Sequence, residues 1–192
     1  MINSKKDLKE YLDYEYKKYF KNKSNFKVWL ISKFNIGEKY VIWNFQRNLR
    51  KYEYHLNANH KVKKNFYKIK VARLSNKYGL NISPNCFDKG LKIMHLGSIL
   101  VNGGAKIGSD CSIHINTCIV AGGNNHASPK IGNQVIIGVG SIILGDIDIG
   151  DNCVIGAGAV VNKSFSNNVT IAGVPAKIIS NSGSDTWINI NK

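Results

Sequence analysis

The chain has 192 residues, enough for one compact core with an appendage or for two small domains. Its 27 Lys and Arg against 12 Asp and Glu give a formal charge of +15, and residues 1–80 alone hold 20 basic against 6 acidic side chains. No nucleic-acid recognition signature accompanies that charge, so nucleic acid is not an expected partner; peripheral contact of the basic N-terminal region with an anionic membrane surface is compatible with it. No apolar run approaches bilayer-spanning length, and the lysine-rich start lacks a signal-peptide pattern, so a cytoplasmic protein is expected.

Residues 4–21 predict a first helix, with Ser4 as its cap, Asp7 three residues on, and Leu8, Leu12 and Tyr16 near helical spacing. A second helix is expected over 24–35, and a third from about Glu38 to Leu56, carrying Arg47, Arg50 and Lys51 beside Tyr52 and Tyr54. That cluster reads as a solvated basic face over packed aromatics. Residues 57–64 read as a turn, followed by a fourth helix from about Phe66 to Tyr78 with Gly79 as its C-cap. At Leu80 the grammar changes, which divides the chain into a helical, basic region (1–80), a second region (81–180) and a polar tail (181–192) expected to be loose or a short docking strand.

The second region repeats every six residues. One slot is filled by Val101, Ile107, Ile113, Ile119, Ile131, Ile137, Ile143, Ile149, Ile155 and Val161, and broken only at Asn125. Four residues after each aliphatic comes a mostly small residue: Ala105, Cys111, Thr117, Val135, Ser141, Ile147, Cys153 and Ala159. Helices have period 3.6 and strands period 2, so a fixed six points to short parallel strands stacked coil upon coil. The cysteines Cys86, Cys111, Cys118 and Cys153 show no CxxC pair, and the histidines no metal-ligand spacing, so no metal is expected. His55 and His60 read as surface residues, and His114 as an exposed side chain on a coil. His95 takes a slot six before Val101 that elsewhere holds an aliphatic, and His126 lies in a glycine- and asparagine-rich insertion before Pro129-Lys130-Ile131.

The repeat, with the ending Ile171-Ala172-Gly173-Val174-Pro175-Ala176-Lys177-Ile178-Ile179, resembles the hexapeptide-repeat acyltransferases over about residues 80–180. The resemblance implies a mainly β fold, a left-handed parallel β-helix behind an N-terminal α-helical region, with three to four coils between Val101 and Val161. It also implies a homotrimer with active sites between neighbouring β-helices, and acetyl-CoA as co-substrate. On this chain the coenzyme A contacts would be Gly138, Gly140, Gly156, Ala157 and Gly158, with Lys163 and Lys177 for its phosphates. The segment Gly90 to Ser98 is similar to that of serine acetyltransferase-type enzymes in which a histidine is the catalytic base, which assigns that role to His95. A histidine before Pro-Lys-Ile holds the acceptor in those enzymes; here His126 stands two residues further away, with Asn124 and Asn125 as further acceptor contacts.

The same resemblance exposes two departures. Met94 stands where those enzymes have an aspartate before the histidine, Asn81 replaces a second upstream aspartate, and Asp88 is the nearest remaining carboxylate. Losing both argues against free serine, as does an N-terminal region shorter than the helical domain of many serine acetyltransferases. The expectation is therefore an O-acetyltransferase acting on a sugar hydroxyl of a capsule, lipopolysaccharide or exopolysaccharide. Serine O-acetyltransferase is the first alternative, and a non-catalytic β-helix scaffold the second.

Overall fold

A computed structural model describes residues 1–21, 23–122 and 127–189. Four helices come first: α1 (Lys5–Phe20), α2 (Asn25–Lys33), α3 (Glu38–Asn57) and α4 (Lys61–Tyr78). The Ser4 side chain accepts the Asp7 N–H at 3.1 Å while Asp7 accepts the Ser4 N–H at 2.9 Å, a reciprocal cap. α4 begins at Lys61, five residues before the predicted start, and leaves only Ala58–His60 as the turn. Before the tail, Lys177–Ser180 pairs antiparallel with Thr170–Ala172; the tail itself differs from the expectation, since Ser184–Asn189 forms a helix, α5.

From Leu80 onward the strands stack into three parallel sheets, the faces of a prism. The first face stacks Leu80–Ile82, Ile99–Val101, Thr117–Val120, Ile142–Leu144 and Val160–Val161. The second stacks Lys106–Ile107, Lys130–Ile131 and Asp148–Ile149, with Phe87 and Phe165 bridging its two ends. The third stacks Lys92–Ile93, Ser112–Ile113, Ile136–Ile137, Val154–Ile155 and Thr170–Ala172. Between Val101 and Val161 this gives the expected three to four coils, and a further partial coil at each end brings every face to five layers. The end coils escape the hexapeptide rule because their aliphatics are unevenly spaced: Ile82, Phe87, Ile93, Val101 at one end, and Val161, Phe165, Ile171 at the other.

Every residue of the aliphatic slot is buried, and so is every member of the small slot. Burying each such isoleucine contributes about 1.5–3 kcal/mol before entropy, and the column is laid down coil after coil. The corners follow from polar turn chemistry. Asp110, Gln134, Asn152 and Asn168 sit at positive φ (55–60°) at one edge, and the side chains of Asn133, Asp151 and Asn167 each accept a backbone N–H from the coil before.

The helices cover the open end of the first coil, where unpaired strand edges need partners. Arg50 is the hub, with its side chain 1% exposed. It donates to Glu15 at 2.7 Å, to Glu53 at 2.9 Å, and to the Phe87 and Asp88 carbonyls at 2.8 and 2.7 Å. Glu15 and Glu53 in turn accept the N–H groups of Gly90 and Asn85, and the Tyr19 hydroxyl accepts that of Ile93. Burial alone disfavours the guanidinium charge, but the two carboxylates outweigh it and hold Arg50 protonated. The expected solvated basic face is thus corrected at Arg50, because coil carbonyls and two glutamates supply what water would have supplied.

Candidate active site

His95 does not occupy an inward slot. Ile93 pairs with Ile113 on the third face, and Ile99 and Val101 pair with Thr117 and Ile119 on the first. The corner between Ile93 and Ile99 is two residues longer than the repeat allows, so the imidazole swings outside, with its side chain 56% exposed. Its Nδ1 lies 3.3 Å from Glu38 Oε2. The other oxygen of Glu38 accepts the Leu96 N–H at 2.8 Å, which pins the carboxylate to the same corner. Glu38 is the first residue of α3 and stands 57 positions from His95. Nothing local in the sequence points to it. Asp88, the carboxylate that sequence proximity favours, is bound to Tyr11 and the Lys89 N–H instead.

One coil further along this edge lies His114, with ring centroids 6.2 Å apart. It is half-buried, not exposed as expected, and its Nδ1 is buried without a partner. Burial pushes its pKa below the ordinary 6.5, and the neighbouring His95 and Lys92 add to the effect, so it stays neutral beside His95. Of the other two, His60 is exposed as expected, whereas His55 is buried, 3.0 Å from His60 and stacked on Tyr67.

A cleft of about 200 Å³ opens beside Glu38 and Met94, between the helices and the first coil. Lys18, Lys39 and Lys92 line it with Glu38, so it presents both signs of charge. Burial, with Lys18 and Lys39 nearby, lowers the pKa of Lys92. A larger cleft of about 580 Å³ runs along the second face by Tyr11, Arg50 and Lys106, but no histidine lines it and Arg50 is consumed in docking the helices.

The predicted coenzyme contacts divide. Gly138, Gly140, Gly156, Ala157 and Gly158 form the next corners of the edge that carries His95 and His114, since the Gly140 N–H bonds Ile115 and the Gly158 N–H bonds Val139. The glycines have structural reasons of their own: Gly140 and Gly158 sit at φ 70° and 69°, and a Cβ at Gly138 would stand 2.6 Å from the Ile155 carbonyl. Their place on the His95 edge, not their being glycine, keeps them candidates. Lys177 pairs with Ala172 next to that edge, whereas Lys163 follows Val161 toward the second face and lies over Phe165, away from it. His126, Asn124 and Asn125 lie outside the described residues. Among the described residues, no three His, Cys, Asp or Glu side chains group as a metal site.

Short parallel strands stacked coil upon coil in three sheets define a left-handed parallel β-helix. The bacterial transferase hexapeptide (six repeats) family matches residues 128–163. The chain is similar to the serine acetyltransferase-like group. A serine acetyltransferase of Buchnera aphidicola subsp. Acyrthosiphon pisum is 34% identical over 125 residues, covering 63% of this chain and 46% of that protein. The chain thus spans about half the length of this relative. The crystal structure of serine acetyltransferase from Brucella abortus strain S19 superposes with TM-score 0.67 at 27% identity, covering 93% of this chain and 69% of that one. A serine acetyltransferase complex with CoA superposes at TM-score 0.60 and 29% identity, covering 72% of this chain and 57% of that chain. These relatives correct the expectation of a polysaccharide acceptor. The structure also places one carboxylate, that of Glu38, beside His95, where Met94 and Asn81 offer none.

Proposed function

We propose that the protein is an acetyl-CoA-dependent serine O-acetyltransferase with His95 as general base. The carrying observation is the Glu38–His95 pair beside a cleft that holds lysines and a carboxylate. An amino acid presents an ammonium and a carboxylate together, and a cleft of mixed sign suits that pairing better than a neutral sugar. Glu38 on Nδ1 orients the imidazole and selects the tautomer whose Nε2 is free to accept a proton. The serine hydroxyl loses its proton to His95 as its oxygen attacks the thioester carbon. When the tetrahedral intermediate collapses, the C–S bond breaks and the departing coenzyme A sulfur takes that proton back. The coenzyme would lie along the glycine corners toward Lys177. A scaffold without activity would give this exposed Glu38–His95 contact no purpose.

Self-association fits the same reading. The outward column of the first face is apolar after Asn81 (Leu100, Cys118, Ile142, Val160), while that of the second is Lys106, Lys130 and Asp148. A homotrimer burying the first face would follow, and a fully active monomer in sedimentation would reject it. The four free thiols support a cytoplasmic setting.

The test is thiol release from acetyl-CoA with L-serine, with mass spectrometry for O-acetylserine, run beside sugar nucleotides as acceptors. No O-acetylserine above the level of a His95→Asn control would overturn the reading.

A further inference from the structure

α4 carries a surface that neither the fold nor the proposed chemistry uses. At 3.6 residues per turn, Val62, Phe66 and Ile69 fall within an arc of about 60°, opposite the side on which Val71 and Leu74 pack inward. The three are 84%, 51% and 53% exposed, so this is a bare apolar stripe on a helix whose other side already belongs to the core. Lysines border it on both flanks, Lys61 and Lys68 on one, Lys63 and Lys70 on the other, and Lys70 lies 4.4 Å over the Phe66 ring. Between Tyr54 and Phe87 there are seven Lys and Arg and not one Asp or Glu. Among the described residues none of the seven forms an ion pair. The helix also starts on three lysines with no side-chain cap, so its own dipole opposes them, and a negative partner would relieve that conflict.

We propose that α4 docks the protein on an anionic lipid bilayer, with Val62, Phe66 and Ile69 entering the headgroup boundary and the flanking lysines contacting acidic headgroups. An exposed apolar stripe between basic flanks offers an anionic bilayer both a hydrophobic and an electrostatic contact. Nucleic acid would use the lysines, but has no use for valine and isoleucine at the centre of the patch. A second copy of this chain would bring another acid-free lysine cluster against the first.

α2 repeats the pattern on a smaller scale. Phe26, Trp29 and Leu30 on it are exposed, as are Phe34 and Ile36 just after it, and Tyr16 to Gly37 contains six lysines and no acid. The site itself needs no membrane, so docking would place the enzyme without altering its reaction.

The test is co-sedimentation of the full chain with phosphatidylcholine vesicles, with and without phosphatidylglycerol, at low and high salt. Binding is expected only with phosphatidylglycerol and should weaken with salt. A Val62→Ser/Phe66→Ser/Ile69→Ser variant should lose about tenfold or more in binding, with serine acetylation and melting temperature unchanged. A serine variant that binds as the parent does would overturn the proposal, leaving diffuse charge attraction. Absence of vesicle binding, together with a shift in oligomeric state on the same substitutions, would overturn it in favour of self-association. Since acetylation is read separately, failure of docking and failure of the enzymatic reading are distinguishable.

Discussion

The helical region and the coils solve the same problem, burial of a polar backbone, by opposite means. In the coils the strand N–H groups bond carbonyls of neighbouring layers, and the interior needs only aliphatics and small residues, so one short rule serves the stack. At the first layer there is no next coil, and the cover is built from side chains instead: Arg50, Glu15, Glu53, Tyr19 and Gln46 all bond to the backbone of Asn85–Ile93. The comparison teaches that a repeat can be generic inside but must be specific at its end. The same helical cover delivers Glu38 to His95, so the site lies where the two solutions meet.

Substitutions at four positions and a pH series sharpen or break that comparison. The largest effect is expected at the meeting point: His95→Asn should lower acetyl transfer by about 100- to 10,000-fold, with melting temperature and coenzyme A affinity near the parent's. A weakened fold with near-normal turnover would make His95 structural. Next is the cover. Arg50→Ala strands two buried carboxylates and should cost about 3–5 kcal/mol in urea unfolding, with helical dichroism lost ahead of the coils. Loss no larger than that of an exposed lysine would break the claim that the network is specific.

Within the coils, Ile137→Ala should cost about 2–5 kcal/mol, lost as one transition because every layer leans on its neighbours. A smaller effect is expected from Glu38→Gln, roughly tenfold in kcat with KM nearly constant and the pH–rate profile displaced, while Glu38→Asp recovers part of the loss. An unchanged profile would leave Glu38 merely structural. The smallest effect is in pH. His55 and His114 both have folded pKa values below 6.5, burial being the main cause, so the unfolded chain binds protons more readily. Stability should therefore be full above about pH 6.5 and decline below it, and the decline should flatten in a His55→Asn/His114→Asn variant followed by urea titration.

Much of this was legible in the residues. A six-residue period is a property of consecutive positions, so the aliphatic column from Val101 to Val161, its small partners and the β-helix could be read directly, as could the cap at Ser4 and Asp7. His95 was singled out in the same way, though for an inward slot that the two extra corner residues move it out of. What the sequence alone could not reach was anything made by long-range approach. The end coils, with uneven spacing, show only once Phe87 and Phe165 bridge the second face. Arg50 looks like surface until coil carbonyls surround it, and Glu38 becomes the partner of His95 only because α3 begins at that corner. The acceptor expectation fails for the same reason: the chain next to His95 offers it no carboxylate partner, and tertiary packing brings one from 57 residues away. Periodic burial is encoded locally because each coil repeats one neighbourhood, whereas a charge pair is defined by distance in space, which only the folded chain decides.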